Sequence, residues 1–286
     1  MADHQALIRD VSDTALWTAA YRADESERKD ALFCDPFARR LAGERGAEIA
    51  ARVKGKATRT GVVLRTAVFD EVISGALATG RFDTVLALAA GLDVRPYRLE
   101  LPAGLRWIEV DMPALLEYKA QLLAAETPRC DVERIGLDLA DEEARRALFG
   151  RIAEQSAGVL VFSEGLLTYL EPTEVASLSE DMAAHATFGE WATDITGHQV
   201  VEAVRDAGKE FKAGNARVKF APEENTGFFL PHGWKEREYF DLFAEAPRLG
   251  RDTVLARMLR GAIRFLPERR RRFFERGVGV AVLEQA

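Results

Sequence analysis

Four positions carry the residue types that a nucleoside-binding site needs, and each falls where a short apolar run ends: Gly91, Asp111, Asp138 and Glu164. Gly91 follows the run Val85–Ala89 at a strand-to-helix crossing, where backbone without a side chain can approach a ligand closely. Asp111 closes the next run, Leu105–Val110, about twenty positions after the glycine, the spacing at which a carboxylate meets the hydroxyls of an adenosine ribose. Scattered over helix surfaces such carboxylates would carry no information, but the strand tips of one sheet converge in space. Each can instead cap the helix that follows it, and for Asp138 by itself the two readings stand level.

What is missing narrows the ligand. Ala89 and Ala90 stand where a dinucleotide fingerprint has its first glycines, which argues against a pyrophosphate resting on the helix N-terminus. A nicotinamide-dependent dehydrogenase is a poor reading for the same reason. An adenosine without phosphates fits better, and S-adenosylmethionine is such a ligand, with a ribose, a sulfonium and an amino-acid end.

These residues need a parallel sheet to gather them. Val85–Ala89 reads as a strand buried on both faces. A helix begins within Leu92–Leu99, and Leu105–Val110, Val132–Leu137, Gly158–Phe162 and Trp191–Ile195 read as further strands. Helices over Pro113–Ala125, Glu142–Ser156 and Pro172–Thr187 alternate with them, and Asp141 caps the second. Alternation of this kind implies an α/β, doubly wound Rossmann-like sheet whose loops open on one edge.

Residues 1–80 read as a helical preface: a helical pattern with a break across Ser12–Leu41, a start marked by Asp35-Pro36, and a helix over Thr60–Leu77. Residues 81–196 form the cofactor-binding core, and Gly197–Trp234 breaks the rhythm as a lid or substrate insertion carrying Phe228-Phe229. Residues 235–286 complete the sheet with strands Lys235–Phe240 and Val278–Leu283 around a helix over Thr253–Arg276. All 286 residues are expected to form a single domain.

The composition, 48% hydrophobic and 30% charged, is that of a globular protein, and a net charge of -7 gives no support to nucleic acid as a partner. Arg269–Arg272 with Arg257, Arg260, Arg264 and Arg276 reads as a solvated helix face. Cys34 and Cys130 lie in no metal or disulfide spacing, so no metal is expected and a reducing cytoplasm is. No apolar run reaches membrane-spanning length, and Met1–Asp10 has no apolar signal core.

Ala89-Ala-Gly-Leu-Asp-Val-Arg95 with Tyr97-Arg98-Leu99, the upstream Arg65-Thr66, Glu109-Val-Asp111, Asp138-Leu139 and Ser163-Glu-Gly-Leu-Leu-Thr-Tyr-Leu170 resemble the leucine carboxyl methyltransferase family. Thr14-Ala-Leu-Trp17 and Asp35-Pro36 fit its bacterial branch, which includes tetracenomycin-type polyketide O-methyltransferases. The resemblance runs from about Thr14 to the C-terminus. It implies a class I methyltransferase sheet with an antiparallel terminal strand, S-adenosyl-L-methionine as cofactor and S-adenosyl-L-homocysteine as product. It implies Arg65 at the methionyl carboxylate, Ala89 and Gly91 beside the amino-acid end, and Asp111 at the ribose. Asp138 and Leu139 would contact the adenine, and Glu164 would lie near the amino group. Cofactor contacts within Arg22–Lys29 stay unassigned.

Methyl transfer from a sulfonium mainly requires alignment and exclusion of water. A carboxylate acceptor is ionised at neutral pH, whereas a phenol benefits from a base. His198 and His232 are candidates only through their place in or beside the insertion, and a lone histidine reads first as structural. Tyr169 either lines the acceptor pocket or packs behind Glu164. The expected activity is methylation of a carboxyl or hydroxyl on a small, polyketide-like or aromatic metabolite. The alternatives are a protein C-terminal carboxyl methyltransferase and a non-catalytic cofactor-binding protein. The oligomeric state has no signal in the sequence.

Overall fold

The computed structural model describes residues 11–53, 56–206, 218–252, 254–263, 265, 268 and 276–286. Its first elements are three helices, α1 (Val11–Ser26), α2 (Ala38–Arg52) and α3 (Lys56–Ala78). The alternation follows as β1 (Thr84–Leu88), α4 (Arg95–Arg98), β2 (Arg106–Asp111), α5 (Pro113–Leu122), β3 (Asp131–Gly136), α6 (Glu142–Glu154), β4 (Val159–Ser163), α7 (Pro172–Ala183) and β5 (Phe188–Thr196). Then come α8 (His198–Asp206), β6 (Trp234–Asp241), α9 (Leu242–Glu245), α10 (Val254–Ile263) and β7 (Val278–Gln285).

The sheet runs β3-β2-β1-β4-β5-β7-β6. Its first five strands pair in parallel, and β7 lies antiparallel between β5 and β6. This is the Rossmann-like, mostly parallel sheet that the alternation and the resemblance led one to expect. The two central strands, β1 and β4, are buried at every position, as continuous apolar runs in parallel sheets are. Leu86 and Leu88 face α6 and α7, where Phe149, Ile152, Leu178 and Met182 cover them. Val85 and Ala87 face α3, through Val68, Phe69 and Ile73, and α9 adds Leu242.

Helix α3 of the preface is thus a covering layer of the sheet. Helices α1, α2, α4 and α5 gather separately around Ala19, Leu41, Leu92, Tyr97 and Leu115, at the loop that follows β1.

The helix expected to begin within Leu92–Leu99 is the single turn α4, with Pro96 in its first turn. Two other local expectations are corrected. Asp35-Pro36 does not start a helix. The Asp35 carboxylate is spent on Arg22 Nε at 3.0 Å and the Phe37 N–H at 3.2 Å, and α2 begins only at Ala38. Phe228-Phe229 lies in a 3-10 helix, Asn225–His232, with Phe229 edge-on to Trp191 in the core and Phe228 partly buried against Phe220. Much of the Arg257–Arg276 basic stretch and residues 207–217 lie outside the described residues. Arg257 is exposed and pairs with Asp252, and Arg276 pairs with Glu236.

Candidate active site

The tips of β1, β2, β4 and β5 open, together with α1 and α3, onto a cavity of about 270 Å³. At the end of β1 the chain turns sharply, with Ala89 at φ 51° and Gly91 at φ 50°, both left-handed. Alanine there carries a strain of roughly 1–2 kcal/mol that glycine would not. The Ala90 N–H bonds the Val110 carbonyl, which ties the turn to β2. Asp111 accepts the Gly91 N–H and the Met112 N–H, each at 2.7 Å. Burial pushes its carboxyl above the usual carboxylate range, against the pull of those two donors.

At the end of β4, Glu164 is gripped by two guanidinium groups, Arg65 Nε at 3.1 Å and Arg95 at 2.9 Å. Burial alone would raise its pKa, but Arg95 and Arg65 hold it below the usual value. Arg95 is almost fully buried, with its guanidinium 5.6 Å from the Phe69 ring centroid and 5.5 Å from that of Phe162. It also reaches Asp70 at 2.7 Å and Asp93 at 3.3 Å. Asp93, though buried, is kept low by Arg95. Arg65 bonds Asp194, at the end of β5, at 2.8 Å. Asp194 takes the Gly165 N–H at 2.7 Å with its other oxygen, at a turn whose φ of 75° favours glycine.

The sequence-derived site residues do not all arrive together. Arg65, Ala89, Gly91, Asp111 and Glu164 line the cavity, and so does Tyr169, whose phenol burial keeps protonated well above neutrality. Asp138 is exposed, accepts the Ala140 N–H at 3.0 Å and is not on the cavity wall. Leu139, also off the wall, packs into the core. The two follow Gly136, the register partner of Asp111, so the sheet brings them to the right edge without bringing them into the cavity. His198 pairs with Glu202 at 3.2 Å and His232 with Glu180 at 2.8 Å, both off the cavity wall. Both histidines are thus corrected from base candidates to partners of surface glutamates.

Sequence reasoning missed Asp194, Asp93, Arg95 and Arg22 as wall residues. The same strand-tip criterion that selects Asp111 would have selected Asp194, which stands within the Trp191–Ile195 run. Arg22 comes from the unassigned Arg22–Lys29 region and is held by Asp35 and by the Leu92 carbonyl at 2.7 Å.

The donor set suits S-adenosylmethionine. Among the described residues no arginine or lysine bonds Asp111, whose carboxylate lines the cavity and can meet a diol. Arg65 uses one N–H on Glu164 and one on Asp194, which leaves N–H groups for an incoming carboxylate. The rest of the wall is apolar or hydroxylic, with Trp17, Val62, Val201, Val218 and Val278 among threonines. Among the described residues no group of three His, Cys, Asp or Glu side chains could hold a metal ion, and no helix is long and apolar enough to cross a membrane.

Similarity to other proteins agrees with this chemistry. A presumed S-adenosyl-L-methionine-dependent methyltransferase of Streptomyces coelicolor is 33% identical over 237 residues, covering 78% of this chain and 82% of that protein. A presumed methyltransferase of the same kind from Frankia alni is 33% identical over 254 residues, covering 84% of this chain and 88% of the relative. The crystal structure of a DUF574 family protein from Streptomyces avermitilis shares the fold, with a TM-score of 0.56 at 12% identity over 94% of this chain and 97% of that one. The family model described as leucine carboxyl methyltransferase matches residues 15–183. The chain belongs to the leucine carboxyl methyltransferase family and is an S-adenosyl-L-methionine-dependent methyltransferase.

Proposed function

We propose that the protein transfers the methyl group to a carboxyl or hydroxyl oxygen of a small, apolar, polyketide-like or aromatic acceptor. One observation carries this reading. Apart from Arg22, Arg65, Arg95 and the carboxylates of the strand tips, the described cavity wall is apolar or hydroxylic, and both histidine candidates for a general base, His198 and His232, lie off it. A carboxylate acceptor, ionised at neutral pH, needs no base, and a phenol would be deprotonated by one of the wall carboxylates rather than by His198 or His232.

When bound, S-adenosylmethionine supplies a methyl group activated on a sulfonium. In this proposal Arg65 takes the methionyl carboxylate through its unused N–H groups, and Glu164 receives the amino group. Asp111 accepts from the ribose hydroxyls, while Gly91, without a side chain, lets the backbone approach the amino-acid end. The protonated Tyr169 phenol donates to the acceptor oxygen, and Val201, Val218 and Val278 exclude water. Val201 and Val218, which flank residues 207–217, support residues 197–234 as the acceptor-side insertion of a single domain. Two free cysteines suit a cytoplasmic setting.

The test supplies methyl-labelled S-adenosylmethionine with panels of aromatic carboxylic acids, phenols, amines and peptides with free or amidated C-termini. Label on the acids or phenols is expected. Label on amines alone, or on free peptide C-termini alone, would overturn the proposed acceptor class. His198→Ala and His232→Ala are expected to leave the transfer rate within about twofold, since neither group is on the wall.

A further inference from the structure

Among the described residues, the strand tips hold more carboxylate than their arginines neutralise. Arg65 and Arg95 face Asp93, Glu164 and Asp194. Asp70 also touches Arg95, but it is held by two nitrogens of Arg98 at 2.7 and 2.6 Å. Arg22 is turned to Asp35. A buried carboxylate in excess is unfavourable unless something positive is due to arrive beside it. The methylated cofactor is such a ligand: its sulfonium and ammonium outweigh its carboxylate, while the demethylated product is neutral overall.

Asp194 is the member of this group with the most to arrange. Its side chain is 8% exposed, it lines the cavity, and its two oxygens serve two different partners. Oδ2 holds Arg65, and Oδ1 holds the N–H of Gly165, the residue after Glu164. A side chain placed on Gly165 would sit 3.6 Å from two nitrogens of the Arg65 guanidinium, so the bare turn and the arginine lie face to face. Asp194 thus orients Arg65 directly and Glu164 through the backbone.

We infer that Asp194 is a positioning and charge-matching residue of the cofactor site: it sets Arg65 and the Glu164 turn for the amino-acid end, and its negative charge favours the methylated cofactor over the demethylated product. The inference rests on the reading of this cavity as the cofactor site. Asn at 194 can accept only one of the two hydrogen bonds and turns its amide N–H toward the other donor, so it removes both the charge and one half of the bridge.

The experiment is titration calorimetry with three probes: S-adenosylmethionine, S-adenosylhomocysteine and 5′-methylthioadenosine, which has neither amino-acid end nor charge. Asp194→Asn is expected to weaken S-adenosylhomocysteine by about tenfold and S-adenosylmethionine by several-fold more, with methylthioadenosine within about twofold of wild type. Asp194→Glu, which keeps the charge and shifts the oxygens, is expected to restore the preference for the methylated cofactor but not the full affinity. Equal losses for all three probes would mean that the substitution merely loosens the fold, and an unchanged preference would remove the charge role. Either result overturns the inference. Should Asp194→Asn not fold, a crystal structure of the wild type with S-adenosylhomocysteine decides: Arg65 bonded to both Asp194 and the ligand carboxylate supports the role, and Arg65 swung away from Asp194 defeats it. Wild-type protein that is folded yet binds neither cofactor form would sink the cofactor reading itself, which separates that failure from this one.

Discussion

Two of the buried clusters of charged side chains among the described residues are built from the same ingredients, and of these two one lines the cavity and the other does not. Beside β2, Glu109 accepts from Lys119 at 2.8 Å and from Arg134 at 2.9 Å, and Arg134 also bonds the Tyr97 hydroxyl at 2.7 Å. Glu109 and Lys119 are fully buried, and neither belongs to the cavity wall. At the strand tips, the described carboxylates outnumber the described guanidinium groups and line the cavity. Burial and ion pairing therefore do not by themselves mark a site. An unbalanced cluster on a cavity wall does, because the missing charge can be supplied by a ligand.

Breaking the closed cluster should have the largest effect and no functional signature. Glu109→Ala leaves the buried Lys119 ammonium unpaired and is expected to cost about 3–5 kcal/mol of stability, with cofactor affinity per folded molecule unchanged by calorimetry. The open cluster should respond the other way. Asp111→Ala and Arg65→Ala are each expected to weaken cofactor binding by about 1–3 kcal/mol, the scale of a lost charge-assisted hydrogen bond. Unchanged affinity in both would remove these tips as the cofactor's seat.

Acid sharpens the contrast. The Asp111 carboxyl is raised in the folded protein, so on acidification it takes up a proton before an ordinary aspartate does, and cofactor affinity should fall in step. Protonation relieves the cost of burying that charge, so Asp111 itself does not destabilise the fold there. Asp93 and Glu164 are held below the usual range by their arginines and contribute stability that is lost only at still lower pH. A window of lost binding with a retained melting temperature is expected, and binding and unfolding that vanish at the same pH would contradict it. The smallest effect belongs to Ala89→Gly. Relief of left-handed strain is opposed by the greater freedom of glycine in the unfolded chain, and a net stability change under about 1 kcal/mol is expected in thermal unfolding.

The sheet was readable because its two buried centres, Val85–Ala89 and Gly158–Phe162, leave a continuous apolar signature bounded by turn residues. The reach of α3 was less readable, since a helix before the first strand can pack anywhere until tertiary contacts choose. For the site, strand-tip logic selected Asp111 and Glu164, which line the cavity, and Asp138, which does not. The failure at Asp138 is local chemistry: a short carboxylate can satisfy the backbone two residues on, and here it does. Arg95 hid for a different reason. A guanidinium placed between two phenyl rings and several carboxylates has no one-dimensional pattern, because its partners come from α3, the loop after β1 and the tip of β4.

The placement of β7 has a consequence for how the protein is made. β7, which follows β6 in the chain, is inserted between β5 and β6, and it brings Val278 to the cavity wall. During synthesis β1 to β5 can pair as they emerge, but the edge of β5 and the partner edge of β6 stay open until residues 278–285 have left the ribosome. The parallel half of the sheet must then stand with an unpaired strand exposed for the time needed to translate the residues in between, a period in which it is vulnerable to association with other chains.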